Sequence, residues 1–240
     1  MVAPPIAGTG TATVAIPAFV EEWFAALEPV SFAEAIPRPE HAAVFSTDMI
    51  VGFCSSGPLA SERVGALAGP VRDLFTRAHA HGIRRFVLTQ DTHDPNTPEF
   101  QAWPVHCVRG SEESKTIPEL ASLPFADSFT IFEKNSLDPG YGTDFDKWLE
   151  ANSDLTHAIV VGNCTDLCVY TLAMHLRLRA NALGIAPFEV IVPENAVQTY
   201  DLPPESAAEV GAFAHPGDFF HRVFLYHMAL NGVRVVRALT

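Results

Sequence analysis

Two cysteines, Cys164 and Cys168, stand in the segment Gly162-Asn163-Cys164-Thr165-Asp166-Leu167-Cys168-Val169. The segment reads as the end of a buried strand, a tight turn and a helix start, with Thr165 as the expected N-cap. Cys168 then falls in the first helical turn. Unpaired backbone N–H groups and the positive end of the helix dipole favour a thiolate there, lowering the thiol pKa. The same amides suit a developing oxyanion. A free cysteine is more often an inert, buried apolar residue, so position alone leaves both readings open. Asp48 tips the balance. It follows the apolar run 42–45 and precedes more apolar residues, where a carboxylate is costly to bury without a partner or a task. It could take a thiol proton and return it to a leaving amine. Lys134 follows another apolar strand, and an ammonium there would stabilise both anions.

A second constellation lies between these. Asp91-Thr92-His93 follows an apolar run, and His106 closes the irregular segment Trp103-Pro104-Val105-His106-Cys107. One carboxylate and two imidazoles suit a divalent transition metal, Zn²⁺ foremost with Fe²⁺ or Mn²⁺ as alternatives. Three protein ligands leave positions open for water or substrate. Glu99 lies between the histidines and is a candidate fourth ligand; Cys107 is a softer donor. His41, His79, His81, His215, His221 and His227 lack such spacing and are read as structural.

These groups need a scaffold that brings strand ends together. Short apolar runs at 42–47, 85–89, 128–132, 157–161, 188–192 and 233–237 alternate with helical patterns at 59–80, 144–152, 165–183 and 218–230. That alternation predicts an α/β fold: a doubly wound, mainly parallel six-stranded sheet with helices on both faces, a Rossmann-like three-layer arrangement. In such folds the site lies beyond the carboxyl ends of the strands, where Asp48, Asp91, His93, Lys134, Cys164 and Cys168 fall. Residues 1–40 are Pro- and Ala-rich. They are expected to form an N-terminal extension with a short helix at 17–27, an appendage or oligomer arm, ahead of the α/β domain at 41–240; a homo-oligomer is the expected assembly.

The 240 residues are 48% hydrophobic, enough for a continuous core. A formal charge of −13 would repel a phosphate backbone and an anionic membrane alike, so no nucleic acid and no membrane partner is expected and a small molecule is. The four cysteines are read as free thiols. Met1 to Ala18 lacks a basic stretch followed by a long apolar run, and nowhere do ~18 uninterrupted apolar residues occur, so the expected location is the cytoplasm.

Taken together, the chain from about Ala42 onward resembles the isochorismatase-like cysteine hydrolases, and within them the nicotinamidases. The resemblance is carried by Asp48-Met49-Ile50-Val51-Gly52-Phe53-Cys54, by the Thr-Asp-x-Cys-Val start at Thr165 to Val169, and most specifically by Trp103-Pro104-Val105-His106-Cys107. It implies an Asp48, Lys134, Cys168 triad with Cys168 rather than Cys164 as nucleophile. It also implies one divalent metal on Asp91, His93 and His106 with Glu99 as a possible addition. An oxyanion hole from the N–H groups of Cys164 and Cys168, a cis peptide at Asn163-Cys164, and Phe53 and Trp103 flanking the substrate ring follow likewise. The implied reaction is hydrolysis of a small primary amide, nicotinamide to nicotinate and ammonia. The alternatives are another small amide, ureido or carbamoyl substrate, or a non-catalytic metal-binding module. Two departures bear on the substrate: Thr92 stands where an aromatic residue is usual, and Asn163-Cys164 where the family has a small pair.

Overall fold

The computed structural model describes residues 15–240. Of the expected extension, residues 1–14 lie outside the described residues. The strands are β1 (Ala42–Thr47), β2 (Arg85–Asp91), β3 (Thr130–Lys134), β4 (His157–Asn163), β5 (Glu189–Pro193), β6 (Val197–Gln198) and β7 (Arg234–Val236). The helices are α1 (Ala18–Ala25), α2 (Phe32–Ala35), α3 (Val51–Cys54), α4 (Glu62–Gly65), α5 (Ala68–His81), α6 (Pro118–Ala121), α7 (Phe145–Ala151), α8 (Cys168–Leu183), α9 (Pro204–Val210) and α10 (Gly217–Leu230).

Six strands run in the order β3-β2-β1-β4-β5-β7, paired in parallel throughout. Among the described residues the sheet has seven strands rather than the expected six, because β6, two residues long, pairs with the end of β4. Such a short pairing carries no apolar run for a sequence reading to find.

Parallel strands covered on both faces read as continuous apolar runs, yet each side chain still has one destination. Val44, Leu88, Ile159 and Val161 face Val71, Leu74, Phe75 and Ala78 of α5. Ala43, Phe45, Val87, Ala158 and Val160 face Val169, Leu172 and Leu176 of α8 and Leu225 and Met228 of α10. The apolar character of α8 on more than one side follows, since it packs against the sheet and against α10.

The helix expected at 59–80 is two helices. Pro70 lacks the N–H that would continue an earlier helix and sits instead in the first turn of α5. At the end of α4, a Cβ on Gly65 would lie 2.4 Å from the Cys54 carbonyl oxygen, so the backbones meet there without room for a side chain. Residues 18–41 pack on the body: α1 lies against α10, and Phe32 and Ile36 join the core beside α5. Among the described residues no helix is long and apolar enough to cross a membrane.

The strand order reverses at β1, a switch point beyond whose carboxyl end the sites of such folds lie. Thr47 pairs with Thr89 and with Gly162, and Asp91 pairs with Lys134. This register sets the four reactive strand ends side by side.

Candidate active site

Asp48 is the first residue past β1 and adopts φ 54°, a left-handed conformation uncommon for a residue with a side chain. Its backbone is held on three sides. The N–H donates to Thr89 O at 2.9 Å, the carbonyl accepts from Asn163 Nδ2 at 2.5 Å, and next to it Gly162, at φ +111°, leaves no space for a Cβ, which would lie 2.0 Å from Thr47 O. The carboxylate accepts from the Asp91 N–H at 2.7 Å and the Thr47 hydroxyl at 3.2 Å.

Lys134 is wholly buried. Its Nζ lies 2.9 Å from Asp48 Oδ2, 3.6 Å from Cys168 Sγ, and donates to Asp91 Oδ1. The expected trio therefore meets in one place, and Asp91 joins it. Burial disfavours the ammonium, but the Asp48 and Asp91 carboxylates outweigh that and hold the Lys134 pKa well above its ordinary value. Burial and the neighbouring Asp91 raise Asp48, whereas at Asp91 the burial effect is overcome by Lys134 and His93, which lower it.

The expected lowering of the Cys168 thiol is not what this environment produces. Burial first, then the Asp48 carboxylate, push the thiol well above its ordinary range, and Lys134 only partly offsets them. A helix terminus acts over its first turn, whereas desolvation of a buried sulfur acts on the full charge. The resting thiol thus keeps its proton, hydrogen-bonded to Asp48. Cys168 is the first residue of α8, as expected, but the cap is Leu167 and no side chain caps it. Thr165 is buried instead with its hydroxyl 2.8 Å from His221 Nδ1. Cys164 follows β4 across a cis peptide with Asn163, and its carbonyl accepts from the N–H groups of Leu167 and Val169. The N–H of Cys168 is one of the helix's unpaired amino-terminal donors.

The second constellation converges beside the first. Ligand atoms of Asp91, His93, Glu99 and His106 all lie within 4.8 Å of one another. His93 Nδ1 faces Asn135 Oδ1 at 3.3 Å, and His106 Nδ1 faces the Pro104 carbonyl at 2.8 Å. Donation from Nδ1 to these acceptors leaves both Nε2 atoms bare, the tautomer that metal-ligating histidines adopt. His93 Nε2 is buried without a hydrogen-bond partner, 3.5 Å from Asp91 Oδ2 and 3.9 Å from Glu99 Oε1. A buried imidazole nitrogen facing two carboxylates fits a divalent cation. Burial lowers the pKa of His106, keeping it neutral, as a ligand must be.

Phe53 is buried with its ring 5.7 Å from that of His106. Trp103 meets Tyr200 edge-on at 6.4 Å. Phe100, which the sequence did not single out, packs at 5.5 Å on His93 and 5.6 Å on His106. All four cysteines are free thiols, as read from the sequence. Asn135 and Asn163 were also missed. Asn135 directly follows Lys134 at a strand end, a signal that was available; the reach of Asn163 back to β1 depends on strand pairing and was not. Replacing Asn163 by leucine keeps volume but strips the Asp48 carbonyl of its donor. A loss of about 1–3 kcal/mol in unfolding free energy is expected in denaturant titration, the cost of an unpaired buried acceptor.

An isochorismatase domain profile matches residues 42–218. Nicotinamidase 1 of Arabidopsis thaliana is 29% identical over 213 residues, covering 83% of this chain and 86% of that one. The structure of an N-carbamoylsarcosine amidase from Thermoplasma acidophilum superposes with a TM-score of 0.60 at 26% identity, over 82% of this chain and 95% of that chain. A pyrazinamidase of Pyrococcus horikoshii in complex with zinc superposes with a TM-score of 0.63 at 23% identity, over 82% and 99% of the two chains.

Proposed function

The chain belongs to the isochorismatase family, and from that premise we propose that it hydrolyses a small primary amide, nicotinamide to nicotinate and ammonia, through a thioester at Cys168. Family and relatives make it a hydrolase acting on amide C–N bonds. The observation that carries the finer reading is the buried contact of Lys134 with Asp48 and Cys168, directly beside two histidines with bare Nε2 atoms.

In this reading Asp48 accepts the Cys168 proton as sulfur attacks the carbonyl carbon. A thiol held protonated at rest makes that transfer part of the attack rather than a prior ionisation. The N–H groups of Cys164 and Cys168 receive the oxyanion. Asp48 returns the proton to the amide nitrogen, the C–N bond breaks and ammonia leaves. Asp48 then takes a proton from water as its oxygen attacks the thioester, and the C–S bond breaks to release the acid and restore the thiol. Lys134 draws Asp48 toward its ionised form between transfers, against burial and Asp91, and balances the sulfur's charge.

Asp91, His93 and His106, with Glu99 at the edge, would hold one divalent ion, and two imidazoles with carboxylates suit zinc first. When bound, such an ion supplies a Lewis-acid anchor for a ring nitrogen. Phe53 and Trp103 are the proposed flanks of that ring. Ammonia release from nicotinamide and pyrazinamide by metal-loaded protein tests the reading; no release from either overturns the substrate assignment. Removal of the ion with a chelator is expected to raise KM for nicotinamide at least about tenfold while leaving folding intact, with metal content followed by elemental analysis.

A second reading, a ureido or carbamoyl substrate, is favoured by the N-carbamoylsarcosine amidase neighbour. It predicts ammonia release from carbamoyl compounds that survives chelation.

A further inference from the structure

We propose that Tyr200 is a specificity-determining wall of the site, latched against the nucleophile turn by the His215–Asp166 pair. The inference rests on Cys168 being the reacting thiol, but not on which amide it meets.

Asp166 lies two residues before Cys168 and is 8% exposed. Its Oδ2 accepts from His215 Nε2 at 2.8 Å, while Oδ1 is buried without a hydrogen-bond partner. The other ring nitrogen of His215 faces the Tyr200 carbonyl at 3.0 Å. One imidazole thus ties the turn that carries the thiol to the segment after β6. The rings are stacked as well: Tyr200 on His215 at 3.9 Å and 14°, and His215 on Phe220 of α10 at 4.4 Å and 13°. Tyr200 is backed by two aromatic layers, so its ring has little freedom to swing away.

The base of the segment is pinned independently. Leu202 and His215 exchange both backbone hydrogen bonds at 2.8 Å, the Gly217 N–H donates to Asp201 Oδ1 at 2.7 Å, and Arg63 Nε donates to Thr199 O at 3.2 Å. Tyr200 meets Trp103 edge-on, and through His215 its carbonyl is joined to Asp166, two residues before Cys168. It therefore links the turn proposed to receive the oxyanion with an aromatic side chain proposed to flank the substrate. A rigid ring held between that turn and Trp103 is the feature that would limit the width of what can lie against Cys168. Any bulk added to a substrate on that side must displace a three-ring stack and a buried hydrogen-bonded carboxylate.

Access to Cys168 can be read without a substrate, by alkylation with iodoacetamide and with N-benzyliodoacetamide, the site of labelling being assigned by peptide mass spectrometry. The wild type is expected to favour the small reagent. In Tyr200→Ala the small-to-large rate ratio is expected to narrow about tenfold, in keeping with what a few carbons in a pocket discriminate. Tyr200→Phe keeps the ring and should keep the ratio, and His215→Gln, which frees the ring without removing it, should narrow it part of the way. An unchanged ratio in a folded Tyr200→Ala protein overturns the proposal, and so does a Tyr200→Phe protein that narrows as far as alanine. If Tyr200→Ala does not fold, Tyr200→Leu with His215→Gln carries the same comparison. A wild type that alkylates with the expected preference yet releases no ammonia from nicotinamide sinks the substrate reading and leaves this one standing.

Discussion

Cys168→Ala is expected to abolish ammonia release, lowering kcat about ten-thousand-fold or more, while leaving the thermal unfolding transition within a few degrees of wild type. The stability half follows from the packing. Cys168 is buried, but alanine removes one sulfur from a site where the thiol keeps its proton and Asp48 retains Lys134, Thr47 and the Asp91 N–H as partners. The kinetic half follows from covalent catalysis: without the sulfur no thioester forms, and only binding and oxyanion contacts remain to speed direct attack by water. Cys164→Ala is the control. Cys164 offers the proposed reaction its backbone N–H, which alanine keeps, and its thiol faces Asn163 Oδ1 at 3.7 Å rather than the Asp48 carboxylate and Lys134 ammonium that meet Cys168. Trapping an acyl-enzyme by mass spectrometry on the peptide that contains Cys168, and its absence in Cys168→Ala but not in Cys164→Ala, checks the assignment. A Cys168→Ala protein that still turns over amide would remove the thioester from the mechanism.

What the sequence disclosed about this site and what it hid divide along sequence distance. β1 is found over the same residues that the apolar run marked, because both faces of a central parallel strand are buried and the run has sharp ends at His41 and Asp48. β3 begins two residues later than expected, since residues 126–128 close a tight turn before the edge strand begins, and Lys134 becomes the strand's last residue rather than lying two residues beyond it. That shift matters chemically, for it is pairing with Asp91 that brings the ammonium between two carboxylates. The strand ends were legible because each is local. The supports were not: Asn163 holding Asp48, Asp166 holding His215, and Thr165 meeting His221 instead of capping α8 all join residues dozens of positions apart. The thiol's pKa departs from the sequence expectation for the same reason. Its helix position is a local fact, whereas its burial beside Asp48 is set by the whole sheet.

Lys134→Met is expected to be the most damaging change to both stability and rate. Methionine keeps much of the side-chain volume, so the loss is that of charge. The ammonium is completely buried and contacts Asp48, Asp91 and Cys168 at once. Without it two buried carboxylates that already repel one another face a low-dielectric interior unpaired, and removing one partner of a buried ion pair costs about 3–5 kcal/mol. That is a large part of the ~5–15 kcal/mol that stabilises an ordinary domain. The pH dependence supplies the sign. Loss of the cation raises the folded-state pKa of Asp48 further above its unfolded value and releases Asp91, which Lys134 helps to hold down, to move upward as well; a group raised above its unfolded value contributes stability at low pH that is lost as pH rises through its folded value. The variant should therefore unfold at a higher denaturant concentration near pH 5 than near pH 8. An apolar substitution that only disturbed packing would show no such trend. Turnover should fall about a thousandfold or more at every pH at which the protein folds, because protonated Asp48 cannot accept a proton from the thiol and ionised Asp48 has lost its counter-ion. A variant with wild-type stability and unchanged pH dependence would mean that the carboxylates are balanced by something other than Lys134, and would detach this lysine from the proposed chemistry.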